Sequence, residues 1–263
     1  MKSNKIAHFW ILLVTIVLQG TSIIALTTRV QAQSNTPKKT TPTRKRSRVK
    51  FVPPQGQQAP KNAVGGGRRN NGMCEQSGIA SLGIQNKTID KTLVPLLPSS
   101  KLGLTASSHP NMMVYVPSTS AKSLEFTIYN EQEEGIYQRQ VNLGNTPGII
   151  NLSLPTSEPG LEIGKDYRFV VSIICQQSGP QNPFVEGLVR RVAPASALRN
   201  QLNQPTSLEQ VIALSESGYW VEAVSNLAKL KLSQPFDSEI DTAWKDLLSS
   251  VGLSGIAQAP LNQ

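Results

Sequence analysis

The chain has very few of the residues that do chemistry near neutral pH. It holds two histidines and two cysteines in 263 residues, and His8 falls in the leader-like N-terminus. That leaves His109, in Ser107-Ser-His-Pro110 just ahead of an apolar run. One histidine and two cysteines cannot close a four-coordinate zinc site unless carboxylates or a second chain complete it. There is no Gly-x-Ser-x-Gly elbow to employ His109 as a catalytic base, so it reads as a surface-loop residue. A phosphate-cradling Gly-x-x-x-x-Gly-Lys is also missing, and Gly65-Gly-Gly67 has no strand before it. The residues therefore nominate no catalytic group, no metal ligand and no cofactor.

Acidic charge is missing from the first quarter of the chain. Thirteen of the 26 Lys and Arg residues precede Glu75, the first acidic residue, which leaves thirteen against 17 and a net −4 from there on. The overall +9 thus belongs to the N-terminal segment. Long apolar runs are missing too. A spanning helix needs about 20 apolar residues, whereas residues 9–18 form a shorter run that Thr15 interrupts. With Lys2 and Lys5 ahead of it and Val30-Gln31-Ala32 behind, it has the form of a secretory signal cut between Ala32 and Gln33. Retention as an anchor is the alternative. Export to the periplasm, cell envelope or exterior is expected, with no transmembrane span after cleavage.

Residues 33–73 are rich in Thr, Pro, Gln, Asn, Gly and basic residues, with Phe51 the single aromatic. Such a composition predicts an unstructured linker. Its charge is densest at Arg44, Lys45, Arg46 and Arg48, and again at Arg68 and Arg69. These six form an arm suited to an anionic envelope polymer. Without interleaved aromatics the arm has no base-stacking platform, which disfavours nucleic acid. The plainer reading is a solvated linker that keeps the chain soluble.

From Cys74 onward the pattern changes. Residues 92–97, 111–116, 124–129, 136–143, 149–154, 167–175 and 184–192 are short apolar or alternating runs separated by Pro, Gly, Ser and Asn turns. Seven short strands at this spacing predict a mainly β, antiparallel Ig-like sandwich over residues 74–193. Residues 124–129 and 136–143 flank an acidic loop and should pair as a hairpin. In the longest run Tyr167, Phe169, Val171, Ile173 and Cys175 share one face, and Gly164-Lys-Asp166 turns the chain into it. This matches a tyrosine corner, in which the Tyr hydroxyl holds upstream backbone and Leu161 folds back on the core.

After residue 193 the period becomes 3.6. Residues 194–202 suggest a helical turn or two, and Thr206-Ser-Leu-Glu209 suggests a capping box opening a helix that Gly218 stops. A second stripe runs through Trp220, Ala223, Val224, Leu227, Ala228 and Lys231, ending before Pro235. A third runs from Asp237 or Ser238 through Ile240, Trp244 and Leu248 to Gly252. A helical appendage over residues 194–263, packed on or beside the sandwich, follows. The spacing of Gly218, Ala223, Leu227 and Pro235 is similar to half a tetratricopeptide repeat, but one unit cannot bury its own face.

Cys74 and Cys175 are expected to form one intramolecular disulfide, the single pairing two cysteines permit and one that export allows. A buried thiol at Cys175 and intermolecular pairing through Cys74 remain open. Glu131, Glu133 and Glu134 cluster as calcium ligands do but lack the Asp-x-Asp/Asn-x-Asp/Asn-Gly spacing, so they read as a charged exposed turn. Glu134 and Glu186 offer a glycosidase-like pair. Tyr219, Trp220 and Trp244 read as a helix seam before they read as a stacking surface.

An ordered set of motifs adds to this: Cys74, Leu93-Val-Pro95, Gly103-Leu-Thr105, His109-Pro110, Tyr115-Val-Pro117, Gly144-Asn-Thr-Pro-Gly-Ile-Ile150, Val185-Glu-Gly187, Arg191-Val192 and Gly255-Ile-Ala-Gln-Ala-Pro260. Through them the chain resembles an exported cyanobacterial family described as domain of unknown function nine-twenty-eight. The resemblance implies an envelope or periplasmic protein and brings no activity or site residue with it. The sequence thus predicts a signal peptide over residues 1–32, a basic linker over 33–73, a sandwich and a helical region. As a function it suggests a secreted, non-catalytic binding or scaffold module, with a protein as a second kind of partner. A carboxylate-dependent polysaccharide hydrolase and a partner of a membrane sensor, docking through its tail helices, are the alternatives.

Overall fold

The computed structural model describes residues 48–55, 74, 92–175 and 182–262. They belong to one compact unit, and the account below is confined to them. Nine strands and four helices follow in order: β1 (Val94–Pro95), β2 (Leu102–Thr105), β3 (Asn111–Val116), β4 (Ser123–Tyr129), β5 (Gly135–Asn142), β6 (Gly148–Ser153), β7 (Asp166–Ile174), β8 (Phe184–Arg191), α1 (Ser196–Leu202), α2 (Leu208–Glu216), α3 (Trp220–Ser233), α4 (Ser238–Ser249) and β9 (Leu261–Asn262).

The strands make two sheets, ordered β1-β3-β6-β9 and β2-β8-β7-β4-β5. The strand led by Tyr167 is the middle one of the larger sheet. Its odd positions Tyr167, Phe169, Val171 and Ile173 are all buried while Asp166, Arg168, Val170 and Ser172 are half-buried, the alternation expected of a strand with one dry face. Glu162 N donates to the Tyr167 hydroxyl at 3.0 Å, and Leu161 is buried beneath it. The 124–129 and 136–143 runs do pair, as the β4–β5 hairpin.

Two features depart from an all-antiparallel, seven-strand arrangement. β2 joins β8 in parallel, and β9 joins β6 in parallel. Both added strands are short, four and two residues, and each extends one edge of a sheet. A four-residue run such as Leu102-Gly-Leu-Thr105 carries too little periodicity to be read as a strand.

The C-terminal helices pack on the sheets, as expected, and share their core. Buried residues of both sheets and of α1 to α4 form one continuous cluster, in which Trp220 and Trp244 are fully enclosed. α3 packs on β2 and β3. Its close approach depends on Gly103, where a Cβ would come within 2.9 Å of Val221 and 3.0 Å of Leu97. The Trp220 indole donates to Leu96 O at 2.7 Å, and Trp244 donates to Ala257 O at 3.1 Å. α2 is capped by Ser207, whose hydroxyl accepts from Gln210 N at 3.2 Å, so the cap falls one residue later than Thr206. α4 is capped by Asp237, and Lys231 of α3 meets Asp241 of α4 at 2.5 Å.

Residues 48–55 lie within the stretch expected to be unstructured, yet they form an extended strap on the helical region. Val49 and Phe51 are buried and Phe51 stands edge-on to Trp220, ring centroids 5.1 Å apart. Phe51 N donates to Ser250 Oγ at 3.1 Å and Val52 N to Ser215 O at 3.0 Å. Pro54 sits over Gly218, the left-handed residue that ends α2 (φ +82), where a Cβ would meet the proline ring at 2.5 Å. Alternating Val49-Lys-Phe51-Val52 was the sequence signal for this docking. Its basic, proline-rich surroundings masked it.

Candidate functional site

The two lateral edges of the molecule differ in how they are closed. At the β1 and β2 edge, α3 fills the space between the sheets with Trp220, Val221 and Val224. At the other edge, β9 pairs only with Ile149 and Ile150, and a cleft of about 210 Å³ opens between β5 and β6. Its apolar floor comes from Phe126, Val141, Ile150 and Leu152. Around it stand Arg139, Asn142, Asn145, Asn151, Ser153 and Asn262. Asn262 Nδ2 donates to Asn145 O, tying the β9 end to the loop after β5. Asn151 Nδ2 donates to Asn111 Oδ1 at 3.3 Å. The lining is therefore rich in neutral amides, with one cation and no carboxylate.

The carboxylates singled out from sequence have partners elsewhere. Glu133 pairs with Arg168, accepting from its Nε at 3.1 Å, and the same guanidinium reaches Glu186 at 3.2 Å and stacks 4.4 Å from the centre of the Tyr129 ring. The hydrogen bond to Glu133 raises the Arg168 pKa against the opposing effect of burial. Glu134 accepts from Asn130 Nδ2 at 2.8 Å, and Glu131 accepts from Asp166 N at 3.3 Å while facing Lys165 at 3.5 Å. Glu134 and Glu186 thus hold different partners, and among the described residues no group of three His, Cys, Asp or Glu is placed to hold a metal ion. His109 braces two loops: Nε2 lies 2.9 Å from Glu158 O and Nδ1 lies 3.0 Å from Ser108 Oγ.

Cys74 and Cys175 are joined by a disulfide that spans 101 residues. Arg48 is exposed at the head of the docked strap. Ala32, Gln33, Arg44, Lys45, Arg46, Arg68 and Arg69 lie outside the described residues. No helix among the described residues is long and apolar enough to cross a membrane.

One titratable group was invisible in the sequence. Glu222, in the first turn of α3, is buried, and its Oε1 accepts from Thr105 Oγ1, Ala106 N at 3.0 Å and Ser107 N at 3.1 Å. Oε2 has no hydrogen-bond partner among the described residues. Burial pushes the carboxyl above the usual carboxylate range, more than these donors pull it down. The geometry suits a neutral acid whose carbonyl oxygen is Oε1, holding the loop after β2 to the start of α3.

The structure thus defines a mainly β protein of two mixed sheets, closed on one edge by helices and bridged by one disulfide. The chain belongs to the family described as Domain of Unknown Function (DUF928), whose model matches residues 64–261. No curated protein matches it.

Proposed function

We propose that this is an exported, non-catalytic binding module of the cell envelope, built on a modified Ig-like sandwich, which takes a neutral glycan in the cleft between β5 and β6. The carrying observation is the composition of that cleft. Amide side chains both donate and accept, as sugar hydroxyls require, and Phe126 with Ile150 offers an apolar floor for a ring face. A cleft of about 210 Å³ fits a terminal sugar unit better than a long polymer. The partnered state of Glu133, Glu134 and Glu186 supports the non-catalytic reading over a hydrolase. Burial of Trp220 and Trp244 supports it over docking of a sensor through tail helices.

The basic arm complements this site. Arg44, Lys45, Arg46 and Arg48 end one residue before the buried Val49, so an anionic polymer held by the arm would be brought to a fixed place on the fold. Export itself rests on the signal-like N-terminus and accords with the disulfide. The test is isothermal titration of the protein with neutral envelope oligosaccharides, repeated with Asn151→Ala. Saturable binding weakened about tenfold by loss of an amide hydrogen bond supports the reading. Turnover of the oligosaccharide, or binding indifferent to the cleft, overturns it.

A further inference from the structure

Among the described residues β5 is a sheet edge: it is eight residues long and β4 is its one strand neighbour. Leu143 N donates to Lys122 O at 2.8 Å, and the register is regular from Ser123↔Asn142 to Ile128↔Tyr137. In an antiparallel pair successive residues alternate in which side their N–H and C=O face. Tyr137, Arg139 and Val141 therefore turn their backbone groups to β4. Ile136, Gln138, Gln140 and Asn142 turn theirs away from the sheet. Gln138, Arg139 and Gln140 are all exposed.

Sheet edges are commonly guarded by Pro, Lys, bulges or an inward-pointing charge. The single irregularity of this hairpin falls at Ile128 and Tyr129, by the turn, and residues 136–142 contain neither Pro nor Lys. The one guard is Arg139, which lies on the core-facing side with Tyr137 because it pairs with Phe126. An inward charge does not block every pairing. It selects the register. In a two-fold antiparallel pair, residues on the same face oppose one another, so the axis passes through a residue. An axis at Arg139 sets two guanidiniums face to face, which is unfavourable. An axis at Gln138 sets Arg139 of each copy against Tyr137 of the other, a cation beside an aromatic ring. It also places Gln138 against Gln138 and Ile136 against Gln140, all with outward-facing backbone groups.

We propose that the protein forms a two-fold dimer in which β5 pairs antiparallel with β5 of a second copy, centred on Gln138, making one continuous ten-strand sheet. The added strand would continue the β5 wall of the cleft without altering its floor. This inference does not depend on the glycan reading, since it uses the backbone direction and register of β5 and the placing of Arg139 against Tyr137 across the axis.

Sedimentation equilibrium of the purified protein, over a concentration series reaching the millimolar range, reads the mass directly. It should rise towards twice that of one chain. Gln138→Pro removes an N–H that β4 does not use, a position where proline is tolerated on an edge, so it should hold the single-chain mass with the thermal midpoint little changed. Cysteine crosslinking supplies a second readout that does not depend on that variant folding. In the proposed register Gln138→Cys meets its own copy at a Cα separation of about 5.5 Å, within disulfide reach, and should crosslink under mild oxidation. Gln140→Cys is offset from its copy by about 13 Å and should not. A wild-type mass that stays that of one chain overturns the proposal. So does crosslinking at Arg139→Cys in place of Gln138→Cys, or a Gln138→Pro variant that dimerises like wild type.

Discussion

The edge that α3 closes and the edge left open between β5 and β6 show how one pair of sheets can be used in two ways. At the closed edge the sequence supplies large apolar side chains at helical spacing, and they are consumed: Trp220, Ala223 and Leu227 are fully buried. At the open edge it supplies Asn, Ser and one Arg around a narrower apolar floor. The first arrangement releases free energy in proportion to apolar area removed from water. The second leaves hydrogen-bonding capacity available to something else. Stability should therefore concentrate at one edge and binding at the other, and variants at the two edges separate these properties.

Trp220→Ala should be the most damaging single change. Emptying a buried aromatic site costs about 3–5 kcal/mol, and the Leu96 carbonyl would lose its indole donor, a further cost of about 1–3 kcal/mol. Denaturant unfolding should show loss of most of the folded population in buffer. A variant only marginally weakened would mean that α3 is not what closes that edge.

Reducing the Cys74–Cys175 disulfide comes next. A crosslink spanning 101 residues is worth about 4–5 kcal/mol by the chain-entropy account. The midpoint of unfolding should fall under reductant, and Cys74→Ser with Cys175→Ser should reproduce the fall without it. The strap should matter less. Phe51→Ala can be relieved by residues 48–55 peeling away, so its cost should stay near the transfer value of about 1.5–3 kcal/mol. Hydrogen exchange should rise at Phe51 and Val52, whose amides are bonded to Ser250 and Ser215, while β7 amides remain protected.

What could be read from the sequence divides along the same line as the two edges. β7 was legible because Tyr167, Phe169, Val171 and Ile173 alternate strictly, and α4 because Asp237 caps a clear apolar stripe that Gly252 ends. The disulfide was legible by counting, since two cysteines in a chain read as exported allow one intramolecular bridge, and Cys74 and Cys175 are joined. β2 and β9 were not legible, since pairing in parallel at a sheet edge is decided by distant partners and leaves no local period. The strap was hidden by its basic, proline-rich neighbours. The amide cleft was hidden for a different reason: Asn142, Asn145, Asn151 and Asn262 look like turn and surface residues in sequence, and only the folding of β9 against β6 gathers them. Glu222 gave no sign because it occupies the acidic first-turn position where a helix favours Glu in any case.

Glu222 makes a smaller, signed prediction at the closed edge. Its folded pKa is raised by burial, so its contribution to stability is fully present below the unfolded carboxyl value and is lost as pH rises through the folded value. Asp241 behaves oppositely: hydrogen bonds from Lys231 and Lys245 lower its pKa, so its contribution is present above the unfolded value and is lost as pH falls through the folded one. Wild type should therefore lose stability relative to Glu222→Gln as pH climbs from acid towards neutral. A parallel pH profile for the two proteins would show that Glu222 titrates as an ordinary surface carboxylate.

The smallest effect on stability should come from the open edge. Asn151 is exposed and sits on β6 beyond the residues that β9 covers. Its side chain makes one long hydrogen bond, to Asn111 at 3.3 Å. Surface changes of this kind alter stability by about 0.5 kcal/mol or less, so Asn151→Ala should unfold within that margin of wild type while losing affinity for a cleft ligand. The contrast with Trp220→Ala is the point: one variant loses most of the folded population, the other keeps the fold and weakens recognition. If Asn151→Ala instead destabilised the protein by several kcal/mol, the amides of the open edge would be structural, closing the sheets against each other much as Trp220 does at the opposite edge.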